Sequence, residues 1–157
     1  MVEFLSRVIG ALVPSVIKSV TDRSRLKIIC YATTEINGDG VGTFLALGVK
    51  IINPTSTAIY FERLEVIDQT GESFFPSVYR LNAGEKIQPR RNVVGLVPCG
   101  HVTLKWRPRE LRVYDSTERK HTIKGRMLKK AIEELETERV RLEDLNFSVH
   151  PTDPLPE

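Results

Sequence analysis

Two cysteines and three histidines are the side chains of this sequence best suited to metal binding or nucleophilic attack, and their spacing argues against both. Cys99 and His101 offer two ligands. A structural zinc site takes four, and neither a C-x₂-C pair nor a second cysteine–histidine pair appears. His121 and His150 have no partner at a recognisable spacing, no G-x-S-x-G elbow supports a Ser-His-Asp arrangement, and no local signature surrounds either cysteine. No metal or cofactor is expected.

Gly38, Gly40 and Gly42 form a glycine string that a phosphate loop also uses. Phosphate binding requires a helix to start at the third glycine, so that its N-terminal N–H groups face the anion. Here Thr43, Phe44 and Leu45 continue as a strand, and no GK[ST] follows. The segment reads as a hairpin turn, in which Asn-Gly and Asp-Gly supply positive φ.

Paired carboxylates across a cleft would suit glycosidic chemistry. Alternation sends Glu62 and Glu65 to opposite faces of one strand, and Glu133 to Glu138 lie on the solvent side of a predicted helix. The expectation is a non-enzymatic protein, with no small-molecule substrate inferred.

Charge is distributed unevenly. Residues 80–130 carry fourteen Lys and Arg against four acids, whereas residues 131–157 carry two basic and eight acidic side chains, within a net charge of +3. Arg90, Arg91, Lys105, Arg107, Arg109 and Arg112, near Trp106 and Tyr114, are the candidates for contacts to nucleic acid or another polyanion. Alternation places Trp106 opposite Lys105 and Arg107, which makes it core rather than a stacking platform. The competing reading is a solvated face partly neutralised by the acidic helix.

The elements that would position these residues follow from periodicity. Residues 1–22 read as an amphipathic helix, with Leu5, Val8, Ile9, Leu12, Val16 and Ile17 on one stripe and Pro14 on the polar face. From Arg25 to Lys124 the period changes to two, with turn residues between runs, giving about seven or eight strands. In IYFERLEVID, Tyr60, Glu62, Leu64 and Val66 are expected on one face and Phe61, Arg63, Glu65 and Ile67 on the other. SFFPSVY, KIQPRRNVVGLV, HVTLKW, LRVY and HTIK read as further strands. The helical period returns over 125–146 with Leu128, Ala131, Ile132, Leu135 and Leu142, supported by Lys129–Glu133 and Lys130–Glu134 pairs. Residues 147–157, with three prolines, read as an extended, flexible tail.

A chain of 157 residues, 41% hydrophobic and 27% charged, suffices for one hydrophobic core without disulfides or metals. An immunoglobulin-type bridge between Cys30 and Cys99 is disfavoured, because Trp106 follows both cysteines instead of lying between them. The ten-residue apolar run VIGALVPSVI is too short to span a bilayer, and as a signal-peptide core it has Glu3 in the would-be basic leader and no A-x-A site after it, so the cytoplasm is the expected compartment, with secretion the alternative.

The stretch VKIINPTSTAIYFERLEVIDQTGESF, residues 49–74, resembles the strand–Asn-Pro–strand–Asp-x-x-Gly pattern of immunoglobulin-like sandwich domains, including those of the water-stress type. The resemblance implies an antiparallel β-sandwich of two stacked sheets with a binding or scaffolding role, and it carries over no site residues. The fold expected is this sandwich over 23–124, with a helix at each terminus. Its use would be protein interaction through the N-terminal stripe and a sheet edge, with self-association as one form of it. The stripe has a second use open to it, which is to cover a sheet of its own chain.

Overall fold

In a computed structural model, which describes residues 25–36, 43–98 and 108–145, the alternating segments become antiparallel strands. Strands β1 (Lys27–Ile36) and β2 (Thr43–Ile52) pair over ten registers, from Lys27 opposite Ile52 to Ile36 opposite Thr43, so they form the expected hairpin. The glycine turn itself, residues 37–42, lies outside the described residues. Strand β3 (Ile59–Asp68) is followed by the two-residue strands β4 (Ser73–Phe74) and β5 (Lys86–Ile87), then by β6 (Asn92–Pro98), β7 (Pro108–Asp115) and β8 (Lys120–Lys124).

These strands form two sheets. One has the order β1-β2-β6, and the other β4-β3-β7-β8 with β5 also paired to β3. A single cluster of buried side chains draws on both sheets, including Leu45, Leu47, Val49 and Ile51 from β2, Leu64 and Val66 from β3, and Leu111 and Val113 from β7. The helix α1 (Arg126–Asp144) contributes Leu128, Ala131, Leu135 and Leu142 to the same cluster. It packs against β1 and β2 of one sheet and β7 and β8 of the other. Each fully buried leucine supplies about 2 kcal/mol of hydrophobic stabilisation, which is why the helical spacing of these four residues attaches the helix here.

The alternation expected for IYFERLEVID fails at one place. The register between β3 and β7 shifts between Phe61 and Arg63, so Phe61 enters the core beside Leu64 and Val66, while Arg63 and Glu65 remain on the other face. An extra residue in one strand reverses the faces on either side of it, and period-two reading cannot register that.

Two expected strands are also shorter than their sequence suggests. SFFPSVY pairs only at Ser73–Phe74 and at a Tyr79–Leu96 bridge. KIQPRRNVVGLV is divided by a turn in which the Arg91 N–H donates to the Gln88 carbonyl and Arg90 adopts φ 60. HVTLKW, the stripe over 1–22 and the tail over 147–157 lie outside the described residues.

Strand β2 is buried on both faces. Its outer side carries Phe44 and Ala46, which cluster with Leu96, Tyr79 and Val94, and the Phe44 and Tyr79 rings lie 5.9 Å apart. Gly48 faces Tyr31 across the β1–β2 pair, and a Cβ there would meet the Tyr31 ring at 2.6 Å, so only glycine admits the ring.

Candidate functional site

Three strand ends use one turn chemistry. Asn53 Oδ1 accepts the Thr55 N–H and hydroxyl; Asp68 Oδ1 accepts those of Thr70 and the Glu72 N–H; Asp115 Oδ1 accepts those of Thr117 and the Arg119 N–H. In each case an Asn or Asp with Thr two residues later satisfies the backbone where the ladder stops. The signal N/D-x-T is present in the sequence at all three positions.

At Asp115 the turn is joined to a histidine. Asp115 Oδ2 lies 2.9 Å from His121 Nε2, and His121 Nδ1 accepts the Leu26 N–H at 3.2 Å. Both side chains are buried. Because Nδ1 accepts, the ring proton sits on Nε2 and is donated to Asp115. Burial pushes the Asp115 carboxyl upward in pKa. The hydrogen bonds from His121, Thr117 and Arg119 outweigh it and hold the group below its ordinary value.

The pair has the outline of a catalytic dyad but not its capacity. A general base needs a free ring nitrogen facing a substrate, and here both nitrogens are occupied by the fold. The contact instead ties residue 26, just ahead of β1, to β8 in the other sheet.

The outer face of β3 and β7 carries a row of compensated charges. Glu118 holds Arg63 through two bonds of 2.9 and 2.8 Å, and the Arg63 guanidinium lies 4.1 Å above the centre of the Tyr114 ring. The Tyr114 hydroxyl donates to Glu65 at 2.8 Å, while Arg112 donates to Glu110 at 2.6 Å and reaches Glu65 at 3.5 Å. Burial and the Glu65 carboxylate push the Tyr114 hydroxyl above its ordinary pKa, and Arg112 holds Glu110 below its own.

The candidate polyanion residues are therefore placed apart. Arg112 is half-buried and engaged with two carboxylates. Arg90 and Arg91 are exposed in the turn before β6, where the Arg91 carbonyl accepts the Asn53 N–H. Arg109 is exposed at the start of β7, next to Pro108, which pairs with Asp68 at the far end of β3. From that end to its start at Ile59, β3 is roughly 30 Å long. Lys105 and Arg107 lie outside the described residues, as do Leu5, Val8, Ile9, Leu12, Val16 and Ile17.

Among the described residues, the ion pairs of the helix acids lie within α1 and do not reach the strand cations. Glu133 and Glu134 pair with Lys129 and Lys130, Glu136 and Glu143 with Arg139, and Glu138 with Arg141, all within α1. The strand cations Arg63 and Arg112 take their carboxylates from Glu118, Glu65 and Glu110 instead.

A concave surface lies between β1 and α1. It is an open groove of about 730 Å³, with Ala32, Thr33 and Thr34 on one wall and Lys130, Glu134 and Thr137 on the other; Leu45 is buried behind it. Among the described residues, β1 is the outermost strand of its sheet. Three consecutive residues line the groove, so it is the strand's backbone edge that faces it, with alternate N–H and C=O groups directed away from β2.

Among the described residues, no group of His, Cys, Asp and Glu is arranged to hold a metal, and no helix is long and apolar enough to cross a membrane. Cys30 is a free, buried thiol whose pKa burial raises to about 11. No family model, curated protein or solved structure matches this chain.

Proposed function

We propose that this chain is a non-catalytic protein-interaction module of immunoglobulin-like sandwich architecture, in which the outer edge of β1 and the groove beside α1 receive an extended segment of a partner. The observation that carries this reading is that, among the described residues, the ten-residue strand β1 is paired on one side only and opens at Ala32–Thr34 into a groove. An incoming strand gains a row of main-chain hydrogen bonds there, and the groove wall selects among its side chains. The core shared by the two sheets supports the sandwich description. The full use of both buried His121 nitrogens supports a binding role over a catalytic one.

The apolar stripe of Leu5, Val8, Ile9, Leu12, Val16 and Ile17 is a second contact surface in this reading, for a partner or a second copy. Its removal, as a chain lacking residues 1–22, is expected to lower partner affinity while leaving the thermal unfolding midpoint in place.

The test of the edge is a selection of extended decapeptides from a random display library against the full chain, followed by amide hydrogen exchange on the complexes. Protection is expected over residues 31–36, and Thr33→Lys with Thr34→Lys is expected to abolish binding, because lysines on an edge oppose further pairing. Peptides that protect another surface, or that bind the double variant equally well, would overturn the proposal.

A further inference from the structure

Between residues 120 and 130 the chain has five cations, Lys120, Lys124, Arg126, Lys129 and Lys130, and no carboxylate. In β8, His121 and Ile123 point inward, so Lys120 and Lys124 take the opposite face. Gly125, at φ 75, turns the chain directly into α1 and brings Arg126, Lys129 and Lys130 to the same corner. All five are exposed. Met127 stands among them with 49% of its surface exposed.

The carboxylates that face this corner leave it cationic. Glu110 lies near Lys120 and Lys124 but is held by Arg112. Glu133 and Glu134 approach Lys129 and Lys130 only at 3.8 and 3.7 Å, between exposed side chains, where such pairs contribute little. Guarding an outer strand accounts for Lys120 and Lys124. It does not account for the helix residues, since the helix field favours acids in the first turn and α1 has none there.

We propose that this corner binds an anionic lipid surface, with the five cations at the headgroups and Met127 entering the boundary between headgroups and acyl chains. Exposed apolar area inside a basic cluster is what membrane-surface attachment uses. Single-stranded nucleic acid is held on aromatic side chains against which bases stack, and residues 120–130 contain no Phe, Trp or Tyr; a duplex needs phosphate contacts alone and would make no use of the exposed Met127. The corner meets the groove beside β1 at Lys130, which borders both, and the proposal stands independently of the interaction reading.

The experiment is sedimentation of the full chain with vesicles of phosphatidylcholine alone and of phosphatidylcholine with about a third phosphatidylserine, at low and high salt. Attachment is expected only to the anionic vesicles, falling as salt rises. Each cation adds roughly fivefold to partitioning, so Lys124→Ala, Lys129→Ala and Lys130→Ala together should reduce it by roughly a hundredfold. Met127→Ser should weaken attachment at unchanged charge. A twenty-base-pair DNA duplex, followed by fluorescence anisotropy, serves as the competing polyanion. Failure to sediment at low salt, indifference to the triple variant, or tighter binding to the duplex with no effect of Met127→Ser would overturn the proposal. Circular dichroism of each variant confirms that the fold is retained.

Discussion

Replacing Asp115 by Asn removes one charge without changing shape, and the geometry around it fixes the outcome. Asp115 accepts on both oxygens, with three donors at Oδ1 and the His121 Nε2–H at Oδ2. An asparagine that keeps its oxygen toward the turn presents an NH₂ to His121 Nε2–H, donor against donor. Turned over, it presents that NH₂ to three donors. Moving the ring proton to Nδ1 instead confronts the Leu26 N–H. Every arrangement leaves at least one buried polar group unsatisfied, at about 1–3 kcal/mol, and the lost charge-assisted bond adds about 1 kcal/mol. The expected loss is about 2–4 kcal/mol.

Asp68→Asn is the matched control. Asp68 Oδ1 accepts the same three kinds of donor, but among the described residues no hydrogen bond reaches its Oδ2. An amide can therefore take that position, as Asn53 does in the sister turn. Equilibrium urea unfolding distinguishes the two. Asp115→Asn should lower the midpoint by about 1–2 M at a slope of about 2 kcal/mol/M, and Asp68→Asn should leave it close to wild type. Equal shifts for the two variants, or a neutral Asp115→Asn, would refute the reasoning.

Four further outcomes are expected. The folded-state pKa of Asp115 lies below its unfolded value, so its contribution is complete above about pH 4 and is lost as pH falls through the folded value; the stability gap between wild type and Asp115→Asn should narrow on acidification, measured by urea unfolding from pH 7 to 3. Gly48→Ala should cost about 1–3 kcal/mol through the Tyr31 ring, and Tyr31→Ala should relieve most of that increment in a double-mutant cycle. Leu135→Ala, at a site with 0% exposure, should cost about 2–5 kcal/mol by thermal or chemical unfolding. In a Cys99→Ser background, the Cys30 thiol should react with a disulfide reagent at pH 8 only as fast as the chain opens, because burial holds its pKa at about 11.

Local features of this fold were readable from the sequence. The β1–β2 hairpin follows from alternation on both sides of a glycine-rich turn, and α1 follows from Leu128, Ala131, Leu135 and Leu142 at helical spacing, with the Lys129–Glu133 and Lys130–Glu134 pairs found where expected. The N/D-x-T strand ends carried a readable signal that strand counting passes over.

What escaped were features set by distant neighbours. Phe61 changes face because β3 bulges against β7, and its own flanking residues give no sign of that. His121 is defined by Leu26, 95 residues earlier in the chain, and Glu65 finds its Tyr114 hydroxyl partner 49 residues away. The groove arises from the way a helix meets an edge strand, which no linear pattern contains.

The Leu26–His121 hydrogen bond has a mechanical consequence. Tension applied through the residues ahead of Leu26 does not act first at the end of the β1–β2 ladder, where bonds would open one at a time. It meets a bond into β8, backed by the Asp115 carboxylate and its turn, so the load is shared with the second sheet before β1 begins to peel. A pull from that side is therefore resisted by both sheets together, and breaking this one contact should convert a shearing response into an unzipping one.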